Sequence, residues 1–579
     1  MLFWLVFQSV FFVCAGQRYP ITAAWFSDHF SPKNWTDNLS NFTRNGGDTV
    51  LLKAPQFLFR SQQDMEVDPD FAWCGTTATD TGPTCFEDAK KEMNQLGFSI
   101  ASFASYKSGE NFSEAVITCP AFERKLVGAR TYTRLVLPIT VRPQSQPCAL
   151  PSGSSVIVLF TTFNGIDSNE LLVNAAAEKN MSVYMGLPGA PPANAATVSE
   201  KQFMLAYYDW INRLMVDHQQ RYKSIAVKQS KYTTAFDAVK GYNTGEERPL
   251  GQFNTDADML FLYSTQGSIV HHHGRKFLVS ASVDLRKAGG YSIDDHVHGF
   301  NALVNSSKAD IMNIHEGRGY GKACYYWPTQ NILPIAQVDK TLDTVLHYQN
   351  PQLKPNITFE DFFVGSIQQV MESLFVAREA LQKNNISFDM WLNLEAFESL
   401  RDNPCFPTSG SGTSISTDRV TKGRLDMALS AGAVFVQKVS VSSWDPNFTC
   451  MPKNSSSTLA QQVYNDAGRP IITRCSFHSQ YNRSVVVIGF NLLGETQGFS
   501  VSWPDIGHKR HISSVHGYYF EADFGSEHHL VPSLIYTQLY DPYNIMQLNP
   551  KGIVRVKASG TNRACVFTYD YTYVENKTG

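Results

Sequence analysis

Acidic side chains stand at the ends of two apolar runs of this sequence, where they could carry out acid–base chemistry. The run FDMWLNLEAFE at 388–398 alternates apolar and polar residues with the period of a β-strand and places Glu395 near its end. The run AFDAVKGYNTGEE ends on Glu246 and Glu247. Cleavage of a glycosidic bond needs two carboxyl groups, one protonated to donate to the leaving oxygen and one ionised.

We therefore predict a catalytic pair of Glu395 with Glu246 or Glu247. The glutamate at 246 or 247 is expected to be the acid/base and Glu395 the nucleophile, which gives retention of configuration. Retention requires carboxyl groups about 5–5.5 Å apart, whereas about 6.5–9.5 Å gives inversion through a water molecule. Glu316, in HEGRGYGK, is the rival partner, and its alternative role is an ion pair with Arg318 or Lys322 in a loop that leads into a helix.

Side chains that could bind a sugar also follow the apolar runs. Aromatic faces can stack on sugar rings, and polar side chains can hydrogen-bond hydroxyl groups. The candidate substrate-binding residues are Trp25, Tyr242, Asp284, His315, Trp391, Asn393 and Trp444. For the aromatic members, the alternative is a role as core side chains at the rim of the fold.

Two histidine-containing clusters lack the spacing of a metal site. HHH at 271–273 is expected in a loop without a further spaced ligand, and DDHVH at 294–298 suits no common zinc or calcium loop. The sequence has no C-x-x-C pair and no G-x-S-x-G elbow. We therefore predict no metal and no cofactor.

The elements that must position these residues alternate between strand and helix. Repeated βα units predict a parallel sheet, and eight of them predict a closed (β/α)8 TIM barrel, whose functional side chains lie at the carboxyl ends of the strands. An open doubly wound sheet is the alternative, but the G-x-G-x-x-G turn expected for it is absent. The eight predicted strands are 21–27, 48–54, 182–187, 236–243, 276–284, 309–316, 388–395 and 433–443.

Two further parts are predicted around this barrel. Roughly residues 57–165 are rich in Cys, Thr, Pro and Ser and are expected to form an inserted, disulfide-braced β-rich lobe. Beyond about residue 470, period-2 runs between turn residues predict a C-terminal antiparallel β-sandwich. We place the barrel at 17–460 and the sandwich at 461–579.

Several features predict export. Residues 1–16 are apolar and end in small residues, as in a signal peptide, although an uncleaved membrane anchor is the alternative. No later stretch reaches the roughly 18 apolar residues that span a bilayer. Glycosylation is expected because the sequence has twelve N-x-S/T sequons, at Asn34, Asn38, Asn41, Asn111, Asn180, Asn305, Asn356, Asn385, Asn447, Asn454, Asn482 and Asn576. We expect a secreted, extracellular glycoprotein.

The cysteines fit an oxidising compartment. Ten cysteines less Cys14 of the leader leave nine, most of which should pair. Candidate pairs are Cys74–Cys85, Cys119–Cys148 and Cys405–Cys450.

The charge balance narrows the class of partner. A formal net charge of −3 without a basic run gives no electrostatic case for nucleic acid, and 43% hydrophobic residues can bury sizeable cores. We expect a carbohydrate or glycoconjugate as substrate, while a protein partner stays open.

Five segments, in order, resemble blocks of an uncharacterised family of glycoside-hydrolase-like TIM barrels. They are GGDTVLLKAP, NELLVNAAAEKNMSVYMGLP, VKGYNTGEE, ADIMNIHEGRGYGK and MWLNLEAFE. The resemblance covers roughly residues 20–445 apart from the insertion. It implies a TIM barrel with glycosidase-type activity, in a secreted animal-type member of the family.

The same resemblance carries over to individual acids. It implies that Glu246 or Glu247 is the acid of the fourth strand and Glu395 that of the seventh, and Glu398 matches the second glutamate of the last block. GYNTGEE has two adjacent glutamates, so which one faces the cleft stays open. HEG stands where the family more often has an amide or aspartate, so the role of Glu316 stays open. A glycan- or protein-binding barrel without catalysis is the alternative function.

Overall fold

Eight parallel strands close on themselves in the computed structural model of this chain. Each strand pairs with the next, and the last pairs with the first, so the predicted (β/α)8 barrel is confirmed with all eight strands in their predicted places. The strands are β1 Ile21–Phe26, β2 Thr49–Leu52, β3 Ser182–Gly186, β4 Val239–Asn243, β5 Lys276–Ser282, β6 Ile311–His315, β7 Asp389–Glu395 and β8 Lys438–Ser442.

The structure describes part of the chain. The leader at 1–16, Glu246, Cys74 and Cys405 lie outside the described residues. The described residues are 19–26, 31–71, 84–127, 131–140, 148–163, 165–189, 200–244, 247–286, 289–319, 322, 334–338, 340, 343–344, 347, 357–399, 417–451, 455–467, 469–478, 484–490, 499–504, 509–513, 519–521, 532–538, 551–558 and 564–570.

A helix follows each barrel strand, and side-chain caps start several of them. Ser31 caps α1 and Thr421 caps α7, while Ser292 and Asp295 form a capping box at the start of α5. The apolar face of α1 packs on the barrel through Trp35, Leu39 and Phe42, which are fully buried. The helices are α1 Pro32–Arg44, α2 Ser168–Glu178, α3 Glu200–Lys223, α4 Ala257–His272, α5 Ile293–Ser307, α6 Phe359–Lys383, α7 Lys422–Gly432 and α8 Leu459–Asp466.

Short elements complete the barrel region. Strand Phe397–Ser399 pairs antiparallel with Thr417–Arg419, and Arg248–Pro249 pairs with β5. The short helical turns are Ala235–Ala238, Leu250–Asn254, Ile335–Val338, Ala433–Phe435 and Trp444–Asn447.

The barrel interior changes from apolar to polar along the strands. Inward side chains recur at every second position of a strand. The apolar cluster contains Ala23, Trp25, Leu51, Tyr184, Leu278, Ile311 and Trp391. Farther along the strands, the register places Ser282 beside His315, His315 beside Asn393 and Asn393 beside Ser440. Polar groups therefore line the carboxyl-end half of the barrel.

The inserted lobe lies between β2 and α2 and has its own core. Its five-stranded sheet runs in the order Phe57–Arg60, Ser99–Tyr106, Ser155–Phe163, Thr131–Pro138, Arg124–Val127. Its helices are Gln62–Val67, Cys85–Gln95 and Glu114–Ile117. The Cys119–Cys148 disulfide is present as predicted. Cys85 of the lobe is also disulfide-bonded, so the lobe is disulfide-braced. Cys450, which follows β8, is disulfide-bonded as well.

A buried ion network joins this lobe to α3. Arg221 donates to Asp217 at 2.6 Å on its own helix, to Asp167 at 2.6 Å and to Glu110 of the lobe at 2.9 Å. Glu110 also contacts His218 at 2.7 Å. Burial raises the pKa of the Glu110 carboxyl, but His218 and Arg221 more than offset this and hold it below its usual value.

Two antiparallel four-stranded sheets form the C-terminal part. Cys475–Cys565 links a strand of one sheet to a strand of the other, a pair that the sequence did not suggest. Their packing as a sandwich stays a prediction. One sheet runs in the order Ile471–His478, Ser484–Phe490, Pro532–Gln538, Tyr519–Glu521, and the other in the order Lys509–Ser513, Phe499–Pro504, Lys551–Ala558, Ala564–Asp570.

Helices long and apolar enough to cross a bilayer are absent from the described part of the chain.

Replacing Arg221 with Met should destabilise the protein by about 3–5 kcal/mol, because it leaves three buried carboxylates without their shared cation. Urea unfolding at neutral pH measures this change. Lys223→Met, an exposed change two residues further on the same helix, is the matched control and should cost under about 1 kcal/mol. Equal stability of the two variants would contradict a structural role for the network.

Candidate active site

Glu395 is the last residue of β7 and the third member of its inward row, after Trp391 and Asn393. Its side chain is 0% exposed. One carboxyl oxygen, Oε2, accepts the backbone N–H of Gly319, while Oε1 has no hydrogen-bond partner among the described residues. Buried carboxyl oxygens without partners favour the protonated form, because an ionised carboxylate would be poorly solvated there.

The loop after β6 covers Glu395 and supplies a second acid. Arg318 binds the Glu316 carboxylate at 2.9 Å and donates to the backbone oxygen of Glu395 at 2.6 Å. The Glu395 N–H in turn donates to Glu316 at 3.2 Å. Glu316 therefore has both of the alternatives predicted for it, an ion pair with Arg318 and a place beside Glu395.

Two glycines allow this loop to pass so close. Gly317 has a φ of +76°, and a Cβ there would lie 2.4 Å from the Val283 carbonyl oxygen. A Cβ on Gly319 would lie 2.6 Å from the Phe397 carbonyl oxygen and 2.8 Å from Oε2 of Glu395. Neither position has room for a side chain.

Glu247 is the third acid of the site and contacts His315. Its Oε2 lies 3.0 Å from His315 Nδ1, and its side chain is 27% exposed. Asn393 Nδ2 contacts the same imidazole ring and donates to Ser442 at 2.9 Å. Burial raises the pKa of Glu247, but His315, Lys322 and Ser282 outweigh it and lower the value to about 2.

The pKa values of Glu395 and Glu247 shift in opposite directions. Burial raises the pKa of Glu395 well above its usual value, and the negative charges of Glu316 and Glu247 raise it further against the opposing effect of Arg318. These shifts favour a protonated Glu395 beside an ionised Glu247. Neighbouring carboxyl groups with separated pKa values are the arrangement that acid–base catalysis uses.

Two further predicted residues, Trp25 and Asp284, lie at the carboxyl ends of the strands. Trp25 is 4% exposed, and its ring centre lies 6.3 Å from that of His315. Asp284 binds Arg286 through both carboxyl oxygens, at 2.8 and 2.6 Å, which lowers its pKa against the effect of burial. Its N–H donates to His296 at 2.9 Å. Asp284 is thus held by its own neighbours.

The other three aromatic candidates lie away from the three acids. Tyr242 faces outward and contacts His218 of α3 at 3.2 Å. Trp391 lies within the apolar cluster, beside Lys438 at the start of β8. Trp444 is buried against Phe448, with ring centres 4.4 Å apart. All three have the core roles that were the alternative for them, so the site assembled here does not include them.

The side chains of two glutamates considered in the sequence, Glu246 and Glu398, lie outside the described part of the structure. Glu246 lies outside the described residues. Glu398 lies in the short strand Phe397–Ser399, and its side chain is outside the described part.

Sequence reasoning missed several polar side chains of the site. Ser282 and Ser442 are inward residues at the ends of β5 and β8, and Lys322 follows the covering loop. Asn243 bridges β2 and β3 by donating to the carbonyl oxygens of Leu52 and Tyr184. Counting every second residue along each strand from an inward residue would have found both serines and Asn243.

The histidine clusters are structural where they are described. His271 and His272 lie in the last turn of α4 instead of the predicted loop, and His271 contacts Asp310 at 2.8 Å. His296 accepts from the Asp284 N–H through Nε2 and bonds the Ser292 carbonyl through Nδ1, so it is neutral. Within the described ranges, no group of three potential ligands could hold a metal ion.

Comparison with known families finds a match to the inserted lobe. A family model described as a domain of unknown function (DUF8405) matches residues 60–163. No curated protein matches the chain.

Solved structures give weak similarities along most of the chain. One described as a glycoside hydrolase has a TM-score of 0.35 at 9% identity, covering 90% of this chain and 92% of the other. A family 5 glycoside hydrolase from Bacteroides vulgatus has 0.33 at 9%, covering 89% of each chain. AbfB, a family 51 alpha-L-arabinofuranosidase from Bifidobacterium longum, has 0.30 at 7%, covering 90% and 97%. Scores this low carry no argument, so the barrel assignment depends on the closed strand order.

Replacing Glu395 with Gln should stabilise the protein at pH 8 and leave stability unchanged at pH 4. Below an unfolded pKa of about 4.3, the carboxyl is neutral in both states. Above it, the unfolded chain releases a proton that the folded protein keeps, because the folded pKa is raised, so the native protein loses stability as pH rises. The amide of the Glu395→Gln variant is neutral in both the folded and the unfolded state, so the variant avoids that loss of stability.

The free energy of unfolding in urea at the two pH values measures this effect. Glu178→Gln, at an exposed position of α2, is the control and should show no such pH-dependent gain. A Glu395→Gln protein that is less stable than the native protein at pH 8 would show that the carboxyl is ionised in the folded state.

Proposed function

We propose that this protein hydrolyses a glycosidic bond with Glu395 and Glu247. The observation that carries the proposal is the placement of two acids at the carboxyl ends of β7 and β4 in a closed (β/α)8 barrel: Glu395 is fully buried with one unpartnered oxygen, and Glu247 is held by His315. The opposite directions of their pKa shifts support this assignment. A protonated acid and an ionised carboxylate are the two groups that this reaction requires.

The roles differ from those expected from the sequence. Glu395 donates its proton to the glycosidic oxygen as the bond to the anomeric carbon breaks. The Glu247 carboxylate attacks that carbon and forms a covalent glycosyl ester, so configuration is retained overall. Water then attacks the ester, gives its proton to the Glu395 carboxylate and releases the sugar and Glu247. His315 keeps Glu247 ionised and oriented through the 3.0 Å contact.

Substrate access to Glu395 requires the covering loop to move. Gly319 occupies the position from which a sugar oxygen would approach Oε2, and Arg318 fixes the loop to the backbone of Glu395. Loop closure over an acid is a common way to exclude water from a reaction.

We also propose that the protein is secreted and glycosylated, with the two C-terminal sheets packed as a sandwich. The disulfides support an oxidising compartment. Asn447 is 3% exposed and donates to the Ser442 carbonyl, so the folded protein has no room for a glycan there. Among the described residues, the sequons at exposed positions are Asn34, Asn111, Asn180, Asn305 and Asn385.

A glycan-binding barrel without catalysis is the second candidate function. The complete burial of Glu395 under Gly319 favours it, because a permanently covered acid cannot reach a glycosidic oxygen.

Glu395→Gln and Glu247→Gln should each lower kcat/KM by about 10²–10⁴-fold on a glycoside that the native protein cleaves, because each removes one of the two groups in proton transfer or attack. A panel of 4-nitrophenyl glycosides and natural oligosaccharides supplies the assay. Glu178→Gln should keep native activity. Glycan binding by the native protein without product from any panel member would favour the binding barrel.

Replacing His315 with Gln should shift the acid limb of the kcat/KM profile to higher pH. The native limb is set by Glu247, whose pKa is lowered to about 2, and loss of the ion pair lets this value rise toward its usual range near 4.3. The profile is measured from pH 2.5 to 7. An unchanged acid limb would show that His315 does not control the ionisation of Glu247.

A further inference from the structure

Lys53 is an exposed cation at the carboxyl end of β2. It continues the inward row of Thr49 and Leu51, and Leu51 belongs to the apolar cluster inside the barrel. Alternation along the strand therefore directs Lys53 toward the mouth of the barrel, at the end where the three acids lie.

Lys53 is connected to the site through Trp25. Its Nζ lies 5.8 Å from the centre of the Trp25 ring, which is within the range of a cation–π contact. The Trp25 ring lies 6.3 Å from that of His315, and His315 contacts Glu247 at 3.0 Å. The Trp25 and His315 side chains thus connect the Lys53 ammonium group to Glu247.

The acids described at this end of the barrel are already paired with other groups. Glu247 pairs with His315, Glu316 with Arg318, and Asp284 with Arg286. Among the described residues, none forms an ion pair with Lys53. Burial raises the pKa of Glu395, which favours its neutral form.

We propose that Lys53 binds an anionic group of the substrate, a sugar carboxylate or a sulfate ester. This inference rests on the proposed function for the cleavage step, but binding can be tested without it. The described anions at this site are already paired, so the exposed Lys53 ammonium can donate its hydrogen bonds to a ligand anion.

The experiment uses the full chain and three probes, measured by calorimetric titration. A hyaluronan hexasaccharide carries carboxylates only, a heparin-type hexasaccharide carries sulfates as well, and chitohexaose is neutral. The native protein should bind at least one acidic probe more tightly than chitohexaose. Lys53→Met should weaken that binding by about tenfold to a hundredfold, and Lys53→Arg should keep most of it.

Lys276→Met is the matched control, because it removes an exposed lysine at the amino end of β5, on the opposite edge of the barrel. It should bind the acidic probes as the native protein does. Preference for chitohexaose, failure of both acidic probes to bind, or equal binding by Lys53→Met and Lys276→Met would overturn the proposal. Stronger dependence on Lys53 for the sulfated probe identifies a sulfate as the anion, and equal dependence identifies the carboxylate.

The two proposals can fail separately. Lys53-dependent binding of an acidic probe without turnover would keep the anion site and reject the hydrolase. Turnover of a glycoside by the native protein, together with equal binding of the acidic probes by Lys53→Met and Lys276→Met, would keep the hydrolase and reject the anion site.

Discussion

The site depends on how the protein accommodates acids that it has removed from water. Glu395, Glu316 and Glu247 come from the ends of three strands, and Glu395 and Glu316 are almost completely buried. Three negative charges there would repel one another in a medium of low dielectric constant. Each acid has a different solution: Glu316 pairs with Arg318, Glu247 pairs with His315, and Glu395 keeps its proton.

This division explains why the loop after β6 has its composition. Arg318 must reach both Glu316 and the backbone of Glu395, so the chain turns sharply between them at Gly317. Gly319 must then approach a carboxyl group more closely than any side chain would permit. The HEGRG segment therefore neutralises one acid, covers another and contributes the histidine that fixes the third. A change at any of these positions would alter the ionisation of the others.

The strand periodicity predicted the barrel well. It could not give the position of a side chain along the barrel axis, between the core and the carboxyl-end mouth. Trp391 and Glu395 share one inward row. Trp391 is a core side chain, and the candidate acid Glu395 comes four positions later. Whether the Tyr242 side chain points into or out of the barrel depends on which alternate residues of β4 face inward, and the sequence of so short a strand does not reveal this. The contacts of Glu316 required knowing that its loop folds over β7, a tertiary relation that local pattern does not contain. The Cys475–Cys565 pair was missed for the same reason.

Strand β4 connects the inserted lobe to the site although the lobe supplies none of the site residues identified here. On its outer face, Tyr242 contacts His218, which bonds Glu110 of the lobe. On its inner face, Asn243 bonds the carbonyl oxygens at the ends of β2 and β3. Both faces of the strand end are fixed immediately before the loop that carries Glu247. Because an acid that attacks or orients a substrate must be held within fractions of an ångström, a lobe that anchors this strand end can matter to the chemistry from a distance.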